Sequence, residues 1–172
     1  MTGLPAGLVL PPPVARLKEG SDFADHFAVE GAKEIRQFLA DFFSYRPPWM
    51  KALFAVREPL ARALGVGHSL QADRAYGAQD VPFQAGRRIF VFQVAAASEG
   101  EYWAGLSEDG PLRAVLAVVS EKLEDVGGVG GARYRHHVMT FVTFKNWRGR
   151  TYFTAVKPFH WLVVKAMAEA AK

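Results

Sequence analysis

The sequence predicts an α+β domain in which an antiparallel sheet packs on a C-terminal helix. Three observations support this fold class. A strand-like segment precedes two amphipathic helices, five strand-like segments then follow one another, and helix-forming residues end the chain. Because only short turns separate the five strand-like segments, they favour antiparallel pairing, whereas parallel strands need long crossover connections.

The composition indicates one globular domain. The chain has 172 residues, of which half are hydrophobic, and this length suits a single core. The absence of cysteine excludes disulfides, thiolate metal sites and cysteine nucleophiles, and we expect a cytoplasmic protein. The formal charge of +4 is too small to imply nucleic-acid binding, and no apolar run is long enough to span a bilayer.

Residues 1–20 are predicted to form an extended N-terminal arm. A short apolar run in this arm ends in Pro11-Pro12-Pro13, which favours extended chain over a signal peptide. One domain is expected over residues 21–172. It begins with a short strand from Asp25 to Glu30, where polar and apolar residues alternate.

Two helices are predicted after this strand. Pro47-Pro48 ends the first helix and opens the second, because proline suits a first helical turn. Pro59 is expected to kink or split the second helix, since it removes a backbone hydrogen bond, and Gly65 is expected to end it. The first helix carries its apolar face on Ile35, Phe38, Leu39 and Phe42.

The five strand-like segments begin at Arg87. They are RRIFVFQVAAA, EYWAGLS, PLRAVLAVVSEKLED, YRHHVMTFVTFK and RTYFTAVK. Asn146 and Gly149 suit a tight turn between the last two. On that register Tyr152 and Thr154 lie opposite two residues of the preceding strand and share the inner face of the sheet with Tyr134 and His136.

The final helix is predicted to begin at Pro158. His160 then lies near the helix N-terminus, where it either ties the helix to a neighbouring strand or faces a ligand. We expect the helix to cover the sheet through Phe159, Leu162, Val163, Ala166, Met167 and Ala170.

Three segments resemble an uncharacterised bacterial domain-of-unknown-function family. They are PPWMKALFAVREPLARALG, the GL of YWAGL, and NWRGRTYFTAVKPFHWLVVKAM, and the resemblance covers roughly residues 22–170. Its most specific part is GR-x-YF-x-x-V-x-PFH-x-x-V, from Gly149 to Val163. That family is similar to the START-like (SRPBCC) helix-grip superfamily, which includes polyketide cyclases and lipid-transfer domains.

The resemblance implies a helix-grip fold, in which a curved antiparallel sheet grips the C-terminal helix and an apolar ligand cavity lies between them. Members of the family also occur fused behind NAD(P)-binding domains. A redox partner of this chain would therefore be a separate NAD(P)-binding protein. The resemblance implies no cofactor for the chain itself and supplies no catalytic residues.

Seven side chains are candidate ligand-binding residues, because each adds a polar tip to an otherwise apolar region. Arg57 falls on the apolar stripe of its helix, where it either forms a structural ion pair or holds an anionic head group. The alternative interpretation of the aromatic candidates is that they are core residues. The seven are Arg57, Trp103, Tyr134, His136, Tyr152, Thr154 and His160.

No metal site is predicted. His136 and His137 are adjacent in a strand, so they point to opposite faces of the sheet. The glycine-rich segment 126–131 lacks the Lys-Ser/Thr of a phosphate loop, and we interpret it as a hairpin loop or a gate at the cavity mouth. The basic residues around Arg133 are interpreted as solvated strand ends and not as a nucleic-acid site.

Three functions remain open from the sequence. The first is binding of a small hydrophobic molecule that is lipid-like, polyketide-like or aromatic. The second is a cyclase or hydratase that uses His160 or His136 as its general base. The third is a domain without a cavity, in which the second apolar face of the sheet forms a homodimer interface. No nucleic acid or membrane is expected as a partner.

Overall fold

The protein is an α+β domain with a six-stranded antiparallel sheet. The computed structural model describes residues 3–67, 74–123 and 132–172. The strands are β1 (Phe23–Gly31), β2 (Arg88–Ile89), β3 (Phe92–Ser98), β4 (Tyr102–Asp109), β5 (Leu112–Leu123) and β6 (Arg133–Phe144). Their order in the sheet is β1-β6-β5-β4-β3-β2, and every neighbouring pair is antiparallel. This confirms the predicted antiparallel pairing of the segments from Arg88 to Phe144, but the first segment is not one strand: it turns at Phe90, which has a φ of 53°, and forms β2 and β3.

Four helices occur within the described residues. They are α1 (Pro12–Lys18), α2 (Ile35–Ser44), α3 (Pro48–Leu64) and α4 (Trp147–Ala171), and a short 3₁₀ turn covers Ala78–Asp80. Pro48 opens α3 and Gly65 ends it in a left-handed conformation with φ of 76°, as predicted. Pro59 lies inside α3 without splitting it. None of these helices has both the length and the apolarity needed to cross a membrane.

The predicted strand from Thr151 to Val156 is wrong, because these residues belong to α4. The helix begins at Trp147, and the Asn146 side chain caps it by accepting hydrogen bonds from the backbone N–H groups of Arg148 and Gly149 at 3.0 and 3.3 Å. Asparagine is favoured both in turns and at helix N-caps, so the local signal fits either structure. Gly149 is needed for space, since a Cβ there would lie 2.3 Å from the carbonyl oxygen of Pro111.

The start and the buried face of the last helix also differ from the prediction. Pro158 lies in the middle of α4, and His160 is therefore far from the helix N-terminus. Phe159 and Leu162, which were expected to face the sheet, are 49% and 47% exposed. Met167 is buried as predicted, but Ala170 is exposed, and Val164, Ala168 and Ala171 are buried instead. The buried residues are Gly149, Tyr152, Phe153, Val164, Met167, Ala168 and Ala171.

The inner face of the sheet carries the helices. On β6, Val138 belongs to the main core, which includes Phe38 and Phe43 of α2 and Met167 of α4. The helix α4 packs against both α2 and α3. The predicted inner face of β6, with His136, Thr140 and Val142, is therefore correct, although its neighbours are β1 and β5 and not the segment after Gly149.

The outer face of the sheet has a second apolar cluster with its own cover. Val14 of α1 is fully buried in this cluster, beside Met139 and Phe141 of β6. The arm predicted as extended contains the helix α1, because the three prolines supply both a rigid N-terminal approach and the first helical turn. The arm residues that pack on the cluster are Leu4, Leu8, Leu10 and Leu17.

Candidate ligand cavity

A cavity of about 330 Å³ lies between the inner face of the sheet and the helices α2, α3 and α4. Its walls are mainly aliphatic and aromatic. The apolar lining includes Phe42, Phe43, Leu53, Phe54, Leu60, Phe90, Leu112, Leu116, Val142, Phe153, Val156, Val163 and Met167. The polar side chains of the lining are Arg46, Arg57, Ser107, Thr140, Tyr152 and His160. An apolar concave site with a few convergent polar groups is the usual form of a small-molecule site.

One cluster of polar side chains in the cavity is centred on His160. Its Nε2 lies 3.3 Å from Oδ2 of Asp25, whose side chain is 3% exposed. Both atoms are buried, and neither completes a hydrogen bond in this conformation within the described residues. The other carboxylate oxygen, Oδ1, accepts a hydrogen bond from the backbone N–H of Thr140 at 3.2 Å. Asp25 and Thr140 are partners across the β1–β6 ladder, and that pairing holds the carboxylate beside α4.

Thr140 adds a hydroxyl at the same place. The residue is 6% exposed and lines the cavity, and its Oγ1 has no hydrogen-bond partner within the described part of the chain. A buried hydroxyl that makes no hydrogen bond lowers the free energy of unfolding. The Thr140 hydroxyl is therefore a candidate to bind a ligand or a water molecule. Aromatic rings flank the group: the Phe153 and Phe23 ring centroids lie 5.9 and 6.4 Å from the His160 ring.

A second cluster of polar side chains connects α3 to α4. Nε of Arg57 donates a hydrogen bond to the hydroxyl of Tyr152, and the guanidinium carbon lies 5.4 Å from the centre of the tyrosine ring. The Arg57 side chain is 16% exposed, and Glu58 lies 3.8 Å from it. Arg57 and Tyr152 were predicted on a helix and on a strand, and α4 instead brings them together as a helix–helix contact. Arg46, half-buried, stacks its guanidinium on the ring of Phe90 at 4.6 Å.

Three of the seven predicted residues line the cavity: Arg57, Tyr152 and His160. Trp103 does not. Its ring is fully buried against Phe43, with centroids 5.6 Å apart, and its Nε1 donates a hydrogen bond to the carbonyl of Pro82 at 2.9 Å. Thr154 also lies elsewhere, on an exposed side of α4, where its hydroxyl donates to the carbonyl of Arg150.

His136 and Tyr134 are on the inner face of β6 but outside the lining of the cavity. The His136 ring stacks on Phe38 at 4.2 Å, and Nε2 donates to the carbonyl of Lys33 at 2.9 Å. Burial is the main reason why the pKa of His136 is lowered, and the neighbouring His137 lowers it further. The Tyr134 hydroxyl donates to Glu34, and loss of solvent together with that carboxylate raises the pKa of the tyrosine.

His137 faces the opposite side of the sheet from His136, as their adjacency predicts. Its Nδ1 lies 2.8 Å from Nε2 of His26, and the two rings share one hydrogen bond. Burial lowers the pKa of His26, and the His137 beside it lowers it further. Within the described ranges, no group of three or more histidine, aspartate and glutamate side chains is arranged to hold a metal ion. The glycine-rich segment interpreted as a gate lies outside the described residues.

Asp25 and Thr140 are the functional candidates that the sequence analysis missed. One signal for Asp25 was present: in the alternating stretch FADHFAVE it has the same parity as Phe27 and Val29, so it falls on the apolar face of the strand. A carboxylate in that position needs a specific partner. Thr140 carries no such signal, because threonine is common in strands.

Comparison with known proteins places the chain among uncharacterised relatives. A family model described as a protein of unknown function (DUF2867) matches residues 17–167. Among solved structures, an uncharacterized protein from Rhizobium leguminosarum is similar to the chain, with 13% sequence identity and a TM-score of 0.29 over 85% of this chain and 96% of that chain. No curated protein matches the chain.

Proposed function

The chain belongs to the DUF2867 family of proteins of unknown function, and we propose that it binds a small, mainly hydrophobic molecule in the cavity between the sheet and α4. The observation that carries this proposal is the cavity itself, with its apolar lining and its few polar groups. The cavity opens to solvent at Val56 and Phe159, which are 76% and 49% exposed, so its apolar walls are in contact with water and lack packing partners. A ligand would supply those partners.

The size of the cavity sets the size of the ligand. Its volume of about 330 Å³ is at the low end of the range for small-molecule sites. If each non-hydrogen atom with its hydrogens takes about as much room as a water molecule, ~30 Å³, the cavity holds on the order of ten such atoms. A medium-chain or one-ring aromatic compound fits this estimate, whereas a sterol or a diacyl lipid exceeds it.

The affinity would come mainly from the apolar part of the ligand. Removing apolar surface from water contributes roughly 25 cal/mol per Å², less the cost of association. The polar groups around His160 and Arg57 would select the ligand by its hydrogen-bonding groups or by a negative charge. The START-like helix-grip relationship, with its cavity between sheet and final helix, agrees with this site and belongs to the same proposal.

Binding can be tested without knowing the natural ligand. The protein is purified under mild conditions and examined by native mass spectrometry for a bound small molecule, and medium-chain fatty acids and one-ring aromatics are then screened by thermal shift. We expect hits that fill the cavity, and Leu116→Trp, which fills it from the sheet side, should abolish them. Leu162→Trp is the matched control, since Leu162 is 47% exposed and lies outside the lining. A correctly folded protein that binds no such compound would contradict the proposal.

A cyclase or hydratase is the second candidate, and the pairing of His160 with Asp25 favours it. A carboxylate beside one imidazole nitrogen can orient the ring so that the other nitrogen acts as a general base. His160 is the histidine for this role, because His136 lies outside the cavity lining. Turnover of a bound compound, lost in His160→Gln, would distinguish an enzyme from a binding protein.

A further inference from the structure

We propose that Asp25 and His160 form a proton-accepting site for an acidic hydroxyl group of the cavity ligand, so that the ligand is a phenol or an enol. This inference rests on the proposed binding function and specifies which polar group the ligand carries. Oδ1 of Asp25 already accepts the N–H of Thr140, and Oδ2 lies 3.3 Å from Nε2 of His160.

The position of Asp25 determines which imidazole nitrogen can act on the ligand. In the proposed site the proton of the neutral imidazole is on Nε2, which lies towards Asp25, because a carboxylate accepts hydrogen bonds and has no proton to donate. Nδ1 then has a free lone pair and is a hydrogen-bond acceptor. No hydrogen bond within the described residues uses Nδ1, and His160 lines the cavity. A ligand group that meets this nitrogen must therefore be a donor.

In the proposed site the donor's proton is transferred to the imidazole. The O–H bond of the ligand breaks, an N–H bond forms at Nδ1, and the electron pair stays on the ligand oxygen. The imidazolium is compensated by the Asp25 carboxylate, and the oxygen can accept a hydrogen bond from the buried Thr140 hydroxyl, which has no partner within the described chain. An aliphatic alcohol is too weak an acid for this step, whereas a phenol or enol delocalises the resulting charge into an apolar ring or chain that suits the walls.

Other charges near His160 do not replace this pairing. Lys157, one turn earlier on α4, is exposed, and its ammonium nitrogen lies 5.0 Å from the centre of the Phe23 ring. From β6 the uncharged Thr140 lines the same cavity. From within α4, Phe153 covers the imidazole ring at 5.9 Å between centroids. Within the described ranges, Asp25 is the charged group that forms an ion-pair contact with the imidazole.

The test compares para-nitrophenol with its methyl ether, para-nitroanisole. The two probes have nearly the same size and apolar surface and fit the estimated volume, but only the phenol has a proton to give. Binding is measured by equilibrium dialysis, and ionisation of the bound phenol by the visible absorbance of the nitrophenolate, at a pH where the free phenol is mostly protonated. The unaltered protein should prefer the phenol by roughly tenfold or more and should raise the phenolate absorbance.

Asp25→Asn and His160→Gln should each reduce that preference to about threefold or less and abolish the rise in absorbance, while the methyl ether still binds. His136→Gln is the matched control, because it removes a buried histidine outside the cavity, and it should behave like the unaltered protein. The absorbance of the unaltered protein tests the inference even if a variant fails to fold.

The outcomes distinguish failure of the proton-accepting site from failure of the binding function. Equal binding of both probes without phenolate, or a phenol preference that survives in both folded variants, would overturn the proton-accepting site and leave the binding function intact. Binding of neither probe by the folded, unaltered protein would overturn the binding function for ligands of this class, and the proton-accepting site with it.

Discussion

The stability of this domain depends on the protonation of its buried histidines. His136 donates through Nε2 to the Lys33 carbonyl, and its Nδ1 is buried with no hydrogen-bond partner within the described residues. A second proton would have to be placed on this unpartnered nitrogen beside Phe38. Burial therefore holds the pKa of His136 below the ordinary value of 6.5, and the same cause lowers the pKa of His26.

The free energy of unfolding should consequently fall as the pH drops below about 6.5. In this range the unfolded chain takes up protons that the folded chain rejects, so the unfolded state binds more protons and stability decreases with decreasing pH. The decrease should level off once the folded histidines also become protonated. Above pH 6.5 neither state holds these protons, and the contribution is fully present.

His136→Gln should flatten this dependence, because the amide can still donate to the Lys33 carbonyl but does not titrate. Urea unfolding between about pH 5 and 7 measures the slope. His26→Gln should remove a further part of it, so the double variant should show the smallest slope. A slope that is unchanged in both variants would mean that other groups carry the pH dependence.

The helix α4 decides the architecture at the level of secondary-structure elements. Its first turns contain Thr151, Tyr152, Phe153 and Val156, which have high β-propensity and alternate like a strand. The N-cap at Asn146, the fit of Gly149 against Pro111 and the burial of Tyr152 and Phe153 nevertheless hold this segment in a helix. Packing therefore overrides local propensity here.

The buried face of α4 can be tested with one matched pair of variants. Met167→Asp should destabilise the domain by several kcal/mol, because an unpaired charge would enter the core at a residue that is 7% exposed. Leu162→Asp should change the free energy of unfolding by only about 0.5 kcal/mol, since that side chain is 47% exposed. Denaturant unfolding measures both. Equal losses in the two variants would show that the helix is rotated relative to the sheet.

For the molecule as a whole, the sheet has two apolar faces and each has its own cover. The helices α2, α3 and α4 cover the inner face, and α1 with the leucines of the N-terminal segment covers the outer one. The homodimer interpretation of the second face remains a prediction without a test. It would require surface that the N-terminal segment occupies in this structure.

Val14→Asp tests the outer cover. A charge at this fully buried position should release α1, which has only seven residues and packs on β5, and should leave the rest of the domain folded. The exposed cluster around Met139 and Phe141 should then cause self-association, detected by sedimentation velocity, and faster proteolysis within residues 1–20. Arg16→Asp, at an exposed position of the same helix, should do neither. An unchanged sedimentation coefficient and proteolysis rate in Val14→Asp would show that α1 contributes no cover.

The sequence by itself determined the elements whose signals are local and agree with one another. The apolar stripe of α2, the proline start and glycine end of α3, and the hairpins between β3 and β6 follow from spacing and turn chemistry, and the structure has all of them. The set of β6 residues on the inner face of the sheet also follows from the sequence, because a period of two assigns every second side chain to one face.

Tertiary structure alone decided the start of α4 and the composition of the candidate site. An asparagine such as Asn146 is favoured both in turns and at helix N-caps. The close packing of Gly149 against Pro111 and the burial of Tyr152 determine that the segment after Asn146 is a helix. Asp25 and His160 are separated by most of the chain and meet because α4 runs alongside β1, with Phe27 against Trp161 and Gly31 against Lys172. Such contacts depend on how whole elements pack, which no local pattern encodes, and so the sequence identified His160 as a candidate but not the carboxylate beside it.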